Sequence, residues 1–441
     1  MKRVTISLLL FAAWAAGASR AAAQTAPVRL TLDQAVSRGM DASHRLAELG
    51  ARQDAARAAE DATRAASMPQ LALLGGYSRT NHVDEFGIPL PGGSLRVIYP
   101  DVPDNYRSRI DLQWPIYTAG RAPALARAAA AEAGAADQDR ASGRADLKLE
   151  ITRAYWAVIT ARASVQVLQG ALDRLGAHLR DVQNELSVGL VPPSDVLSVQ
   201  AQQSRQRILL IEAQNAADAT AADFRRLAGM APDAPFELAD SLENPPAPVA
   251  QVAALIDEAR SRRAERKALE LRTAAAGERT TAAEAAGRPV VSVTAGYDAA
   301  RPNPRIFPRA AEWNPSWDAS LNLSWSLWDG GRARADMAQA DAARRAAGER
   351  LREFDSVLDV DVRQRVLELA SAPESIAAAE DGVKSAAEAR RVVTERFAAG
   401  VATNTDVLDA QVALLQAELD RTRALANARL AAARLDRALG R

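Results

Sequence analysis

Side chains able to do covalent or acid–base chemistry are few and scattered in this sequence. The histidines His44, His82 and His178 stand far apart and have no ligand partners at metal spacing, so they read as surface or packing residues. The absence of cysteine removes disulfides, thiolate metal sites and a lipid-anchored amino terminus. Gly330-Gly331-Arg332 lacks the rest of the Walker pattern and reads as a strand-to-helix corner. No nucleophile–base pair, metal set or cofactor fingerprint emerges, so an enzyme is not expected. What does recur is a carboxylate in a fixed setting. Asp406 lies in Gly400-Val-Ala-Thr-Asn-Thr-Asp-Val-Leu-Asp-Ala-Gln411, and Asp195 lies in Gly189-Leu-Val-Pro-Pro-Ser-Asp-Val-Leu-Ser-Val-Gln200. Each copy predicts a sharp turn between two helices. Glycine permits the positive φ at which one helix stops. Ser194 or Thr405 is placed to cap the next helix, with Asp195 or Asp406 in its first turn, where the helix dipole favours an anion.

The elements around these turns begin with a targeting segment. Lys2 and Arg3, an apolar run to about Ala18, and Ala21-Ala22-Ala23 predict a signal peptide over residues 1–23. Its removal takes away Lys2, Arg3 and Arg20, leaving 52 basic against 55 acidic residues, which gives no nucleic-acid signal. Beyond it no run of about 18 apolar residues predicts a membrane-spanning helix.

The chain is a tandem duplication. The two turns are 211 positions apart, and so are Trp114-Pro-Ile-Tyr-Thr-Ala-Gly-Arg121 and Trp325-Ser-Leu-Trp-Asp-Gly-Gly-Arg332. Leu227-Ala-Gly229 and Ala438-Leu-Gly440 match as helix ends, and Pro69 to Tyr77 resembles Pro289 to Tyr297 at an offset of 220. Residues 24–229 form the first repeat, 230–250 a Pro-rich linker and 251–441 the second. Each repeat opens with amphipathic helix, at about 32–67 and 249–286. A pair of strands follows, 70–80 with 106–116 and 290–299 with 317–327. Trp317, Ala319, Leu321, Leu323, Trp325 and Leu327 alternate with polar residues, as do Tyr106, Ser108, Ile110, Leu112, Trp114 and Ile116. Period two over about ten residues is long enough for a tilted strand to cross a bilayer, with aromatics near the ends. Long loops, 81–105 and 300–314, join the pairs.

A long helix comes next, at about 119–188 and 333–399, some 70 residues or roughly 105 Å. Leu147, Ile151, Ala154, Val158, Ala161, Val165, Leu168, Leu172, Leu175, Leu179, Val182 and Leu186 keep the 4-3 spacing of a coiled-coil seam. Adding 211 gives an apolar residue at every position except Arg365 and Arg390. Pro373 predicts a kink in the second long helix, and Gly170 and Gly176 a loosening of the first. Returning helices complete each repeat at about 194–228 and 405–438. Four strands cannot close a barrel, and an open edge in lipid costs several kcal/mol per unpaired group. Several copies must then share one barrel; two would supply eight strands and three would supply twelve.

Taken together, the duplication, the Trp-x-Leu-x-Asp-Gly-Gly-Arg corner and the two Gly-x5-Asp-Val-Leu turns resemble the TolC-type outer membrane efflux proteins over essentially all of the chain after the signal. The resemblance implies a mainly α fold with a membrane β-barrel part, a homotrimer with a shared 12-stranded barrel and a long α-helical coiled-coil tunnel in the periplasm. It implies an exit duct for an inner-membrane transporter and a periplasmic adaptor, serving efflux or type I secretion, with no cofactor and no metal. The tips 187–195 and 398–406 would be the adaptor-docking entrance, offering Gly189, Leu190, Val191, Ser194, Gly400, Val401, Ala402 and Thr403. The family's acidic pore rings map onto Asp406 and Asp409, which lie three apart on one helix face; crowding on the axis would raise some of their pKa values. Asp195, whose companion is Ser198, reads only as a helix-start residue of the gate region. The family's tip Arg and Tyr are Ala402 and Phe397 here, so neither polar gate lock forms as such; the expectation is that closure rests more on packing or on the first repeat, or that the resting state leaks. A periplasmic coiled-coil scaffold without a channel is the alternative, and the strand alternation argues against it.

Overall fold

The computed structural model describes residues 28–243 and 251–441. The signal segment and the Pro-rich end of the linker, residues 244–250, lie outside the described residues. In chain order the elements are β1 (Val28–Leu30), α1 (Leu32–Ala42), α2 (His44–Ala65), β2 (Gln70–Arg79), β3 (Phe86–Pro89), β4 (Leu95–Tyr99), β5 (Asp104–Tyr117), α3 (Arg121–Ser187), α4 (Pro193–Leu227), β6 (Phe236–Leu238), α5 (Val252–Arg262), α6 (Ala264–Glu284), β7 (Val290–Arg301), β8 (Asn314–Ser324), α7 (Arg332–Ala370), α8 (Ala372–Ala398) and α9 (Asn404–Ala438). They form two compact units, each drawing on both halves of the chain. Among the described residues, one takes 28–43, 147–243 and 368–434; the other takes 44–146, 251–367 and 435–441.

The seam positions explain the long helices. Leu147, Ile151, Val158, Leu175 and Val182 are all 4% exposed or less, and the other seam residues of α3 are at least half-buried. α3 runs unbroken for 67 residues. The loosening expected at Gly170 and Gly176 is absent. Each Gly costs about 1 kcal/mol in a helix interior, and burial of Leu168, Ala171 and Leu175 beside them offsets it. The second long helix is interrupted at Ser371. Pro373 falls in the first turn of α8, where a missing N–H costs nothing. Arg365, one of the two polar intruders in the second seam, is held by Asp361 one turn earlier, Nε to Oδ1 at 3.1 Å.

Four helix ends have one design. At Gly189 the N–H of residue 190 bonds the carbonyl of 185, and the N–H of 189 bonds that of 186. The same pair of bonds recurs at Gly400, Gly229 and Gly440. Each is a Schellman motif, with φ between +62° and +78° at its glycine. The strand-to-helix corners are also matched. Asp329 accepts from the Gly331 and Ala333 N–H groups at 2.9 and 2.8 Å, and Thr118 accepts from Ala122 at 3.1 Å.

In the unit containing the strands, one antiparallel sheet has the order β2-β5-β7-β8. Gln70 lies opposite Gln113 and Arg79 opposite Asp104. Val290 lies opposite Ser324 and Ala299 opposite Pro315. Adding 220 to the first strand and 211 to the second converts one hairpin register into the other, so the duplication holds to the single residue. The sheet differs from expectation at its margins. The loop 81–105 contains the β3–β4 hairpin, and β8 ends at Ser324, short of 327. In the other unit, β1 pairs in parallel with β6, inside the stretch read as linker. Three-residue strands carry no periodicity for a sequence to display.

Candidate functional site

The register sorts the sheet residues onto two faces. Leu71, Leu73 and Tyr77 of β2, Tyr106, Ile110, Leu112 and Trp114 of β5, Val291, Val293 and Tyr297 of β7, and Trp317, Leu321 and Leu323 of β8 share one face. Aromatics mark its two ends and aliphatics fill the middle. From Tyr106 to Trp114 is roughly 27 Å along the strand, the height of an apolar barrel band. The opposite face carries Arg107, Arg109, Asp111, Gln113, Ser292, Thr294, Asp298, Asp318, Ser320 and Asn322.

A five-residue ion cluster occupies that polar face. Asp298 accepts from Arg107 at 2.6 and 2.9 Å and from Arg109 Nη1. Arg109 also reaches Asp318 at 2.9 Å and Asp111 at 2.6 Å, so one guanidinium spans β5, β7 and β8. Its path is open because Gly296 has no side chain; a Cβ there would fall on the guanidinium. Asp298 is 9% exposed and completely engaged, as a carboxylate withdrawn from water must be.

Both helix tips lie in the other unit. Pro192 precedes α4 and contributes no side-chain cap, and Ser194 lies inside the helix. The second tip also departs from the expected cap. α9 starts at Asn404, and Thr403 rather than Thr405 closes it. Thr403 Oγ1 accepts from the Asp406 N–H at 3.2 Å, and Asp406 Oδ2 accepts from both the N–H and the hydroxyl of Thr403 at 2.8 Å. Those bonds hold the Asp406 carboxyl below the usual carboxylate range, the backbone bond contributing most. Thr403 and Thr405 stand two residues apart, and only the position of the helix start chooses between them. Asp406 and Asp409 are both exposed, as are Leu190 and Val401, at 75% and 63%.

One group missed by sequence reasoning is His178. It is 5% exposed. Its Nε2 lies 2.8 Å from Asn404 Oδ1, and Asn404 Nδ2 donates to the Asp195 carbonyl at 3.2 Å. The imidazole meets the Phe397 ring edge-on, centroids 5.4 Å apart. These contacts tie α3 and the start of α4 to the second tip. Beneath them, Leu175, Val182, Val196 and Val199 form a core with Phe397 and Leu408 packed against it. The signal was available: His178 is three residues after Leu175 and four before Val182, on the buried face of the seam.

An amphipathic sheet of membrane-strand length, joined to long helical hairpins, defines an outer-membrane protein with a barrel part and a coiled-coil part. The sequence model of the outer membrane efflux protein family matches residues 35–230 and 255–441. The chain belongs to that family, and its place is the outer membrane. It is 24% identical to the outer membrane protein TolC of Vibrio cholerae over 396 residues, 90% of this chain and 87% of that one. It is 29% identical to Protein CyaE of Bordetella pertussis over 251 residues, 54% of this chain, and spans only 50% of that protein. The crystal structure of the outer membrane protein VceC from Vibrio cholerae superposes with a TM-score of 0.77 at 20% identity, covering 93% of this chain and 96% of that one. The fold is that of the TolC-like channels.

Proposed function

We propose that three copies of this chain form a 12-stranded barrel and a periplasmic helical tunnel. This duct passes substrate outward from an inner-membrane transporter through a periplasmic adaptor, in efflux or type I secretion. The observation that carries the reading is the sheet itself. It has an apolar face at membrane height and a polar face opposite, and its edge strands β2 and β8 have no outer neighbours among the described residues. Lipid does not tolerate such edges, so the polar face must enclose a lumen made with other copies.

In this reading Asp406 and Asp409 form the constriction. Six carboxylates around one axis attract cations and repel anions. The tips 187–195 and 398–406 dock the adaptor, with exposed Leu190 and Val401 available to a partner helix. Closure does not need the polar locks missing at Ala402 and Phe397, because the His178–Asn404–Asp195 chain ties one tip to the other. Fractionation with reconstitution tests the proposal. Trimers should be recovered from the outer membrane and give cation-preferring currents in planar bilayers. Recovery wholly as soluble periplasmic protein would reject the duct and favour a scaffold.

A further inference from the structure

On the shared-barrel reading proposed above, one copy meets the next at the edge strands β8 and β2. Within the chain, β5 and β7 pair across the junction of the two repeats. Arg109 lies opposite Asp298, Asp111 opposite Gly296, Leu112 opposite Ala295, and Trp114 opposite Val293. β8 is the equivalent of β5 at +211, and β2 is the equivalent of β7 at −220. Both offsets already convert one hairpin register into the other residue by residue. Applied to the junction, they fix the pairing of β8 with β2 of a second copy.

We propose that β8 pairs antiparallel with β2 of a partner subunit in this transferred register. Ser320 faces Ser78 of the partner subunit and Leu321 faces Tyr77 of the partner subunit. Asn322 faces Gly76 of the partner subunit, and Leu323 faces Gly75 of the partner subunit. Trp325 faces Leu73 of the partner subunit. The bulge between Pro115 and Tyr117 carries over, so Leu327 is skipped and Trp328 faces Leu71 of the partner subunit.

Two independent features fit this seam. The first is parity. The transferred pairs keep lipid-face residues against lipid-face residues, as Leu321 against Tyr77 of the partner subunit and Trp325 against Leu73 of the partner subunit, and lumen-face residues against lumen-face residues, as Ser320 against Ser78 of the partner subunit, whereas a one-residue slip would mix the faces. The second is the end of β8. Its equivalent β5 continues four residues further, to Tyr117. Those residues pair with β7, since the β2 register stops at Gln113. In β8 the equivalent four residues, Trp325 to Trp328, are not strand, and Trp325 and Trp328 are 57% and 83% exposed. They lack the neighbour that β7 gives to β5. The partner's β2 supplies it and extends β8 to Trp328.

The chain's lack of cysteine gives a clean background for the test. Two double variants carry in-register pairs, Asn322→Cys with Gly76→Cys and Leu323→Cys with Gly75→Cys. Adjacent pairs alternate between the two antiparallel pair types, so one of them brings its Cβ atoms close enough for a disulfide. Two slipped variants, Asn322→Cys with Leu74→Cys and Leu323→Cys with Leu73→Cys, are the comparison. Full-length protein is oxidised in outer membranes and run without reductant. The expected result is a covalent dimer and trimer ladder from an in-register variant, about tenfold stronger than from either slipped variant. A stronger ladder from a slipped variant overturns the register and leaves the shared barrel standing. No ladder from any variant, with particles of monomer size in detergent, overturns both.

Discussion

Gly296 lies beneath the guanidinium of Arg109, and its missing side chain is what lets that group cross β7. A single bare position thereby allows one cation to join three strands. Gly296→Ala should push Arg109 off Asp298 and Asp318. Leaving a largely buried carboxylate short of a partner costs about 1–3 kcal/mol. The midpoint of denaturation in detergent should fall in Gly296→Ala and in Arg109→Ala. The double variant should lose far less than the sum, because both changes break one network. Additive losses would mean that Gly296 serves something other than Arg109.

His178 and Asn404 make the second predicted pair. Asn404→Ala removes the acceptor of a 95%-buried imidazole and the donor to Asp195. The expected cost is again about 1–3 kcal/mol, placed at the tips, so it appears as gating rather than global instability. Single-channel recordings should show a higher open fraction in Asn404→Ala and His178→Phe than in wild type. An open fraction equal to wild type in both would leave closure to packing around Phe397 and Leu408.

Much of this was legible because a duplication writes each rule twice. Heptad spacing from Leu147 to Leu186 predicted α3, and period two through Trp317 and Trp325 predicted a strand. Paired Gly189 and Gly400 predicted the helix stops. Two kinds of feature were not legible. Short elements such as β1, β3, β4 and β6 have too few residues for a period, and their pairing is decided by distant chain. Partnerships across the fold were hidden too. Nothing local says that Arg109 meets Asp318 over Gly296, or that His178 meets Asn404, 226 residues later. The cap falls on Thr403 rather than on the chemically equal Thr405 because only tertiary context fixes where α9 begins.

Tyr155 supports the first turn of α1 from beneath. Its hydroxyl donates to Asp240 at 2.7 Å, and the same Asp240 oxygen accepts from the Leu32 N–H at 3.1 Å. Burial pushes the phenol well above its ordinary value, and the Asp240 bond adds to that. The hydroxyl is therefore neutral at all working pH values, and the bond does not titrate away in mild alkali. Tyr155→Phe should destabilise by about 1–3 kcal/mol, with a loss that stays constant between pH 6 and about 9. A loss confined to the alkaline end would show the phenol ionising in the native protein.

Asp406 has two claims on it, and pH separates them. As a cap it is bonded by Thr403, which depresses its pKa. The capping contribution is then complete above the ordinary carboxylate value and is lost as pH falls through the depressed one. As a pore residue it supplies charge to the constriction, and crowding by its copies pushes the other way. Asp406→Ala with Asp409→Ala should raise conductance and weaken divalent-cation block at neutral pH. Thr403→Ala keeps both carboxylates and the backbone N–H bond to Asp406, but removes the hydroxyl's bond, the smaller of the two that hold Asp406 down. Its divalent block should therefore fade at a higher pH than in wild type as the solution is acidified. Titration of block in planar bilayers reads both effects. If Thr403→Ala titrates like wild type while the double alanine variant loses block, the charge that matters is carried by Asp409.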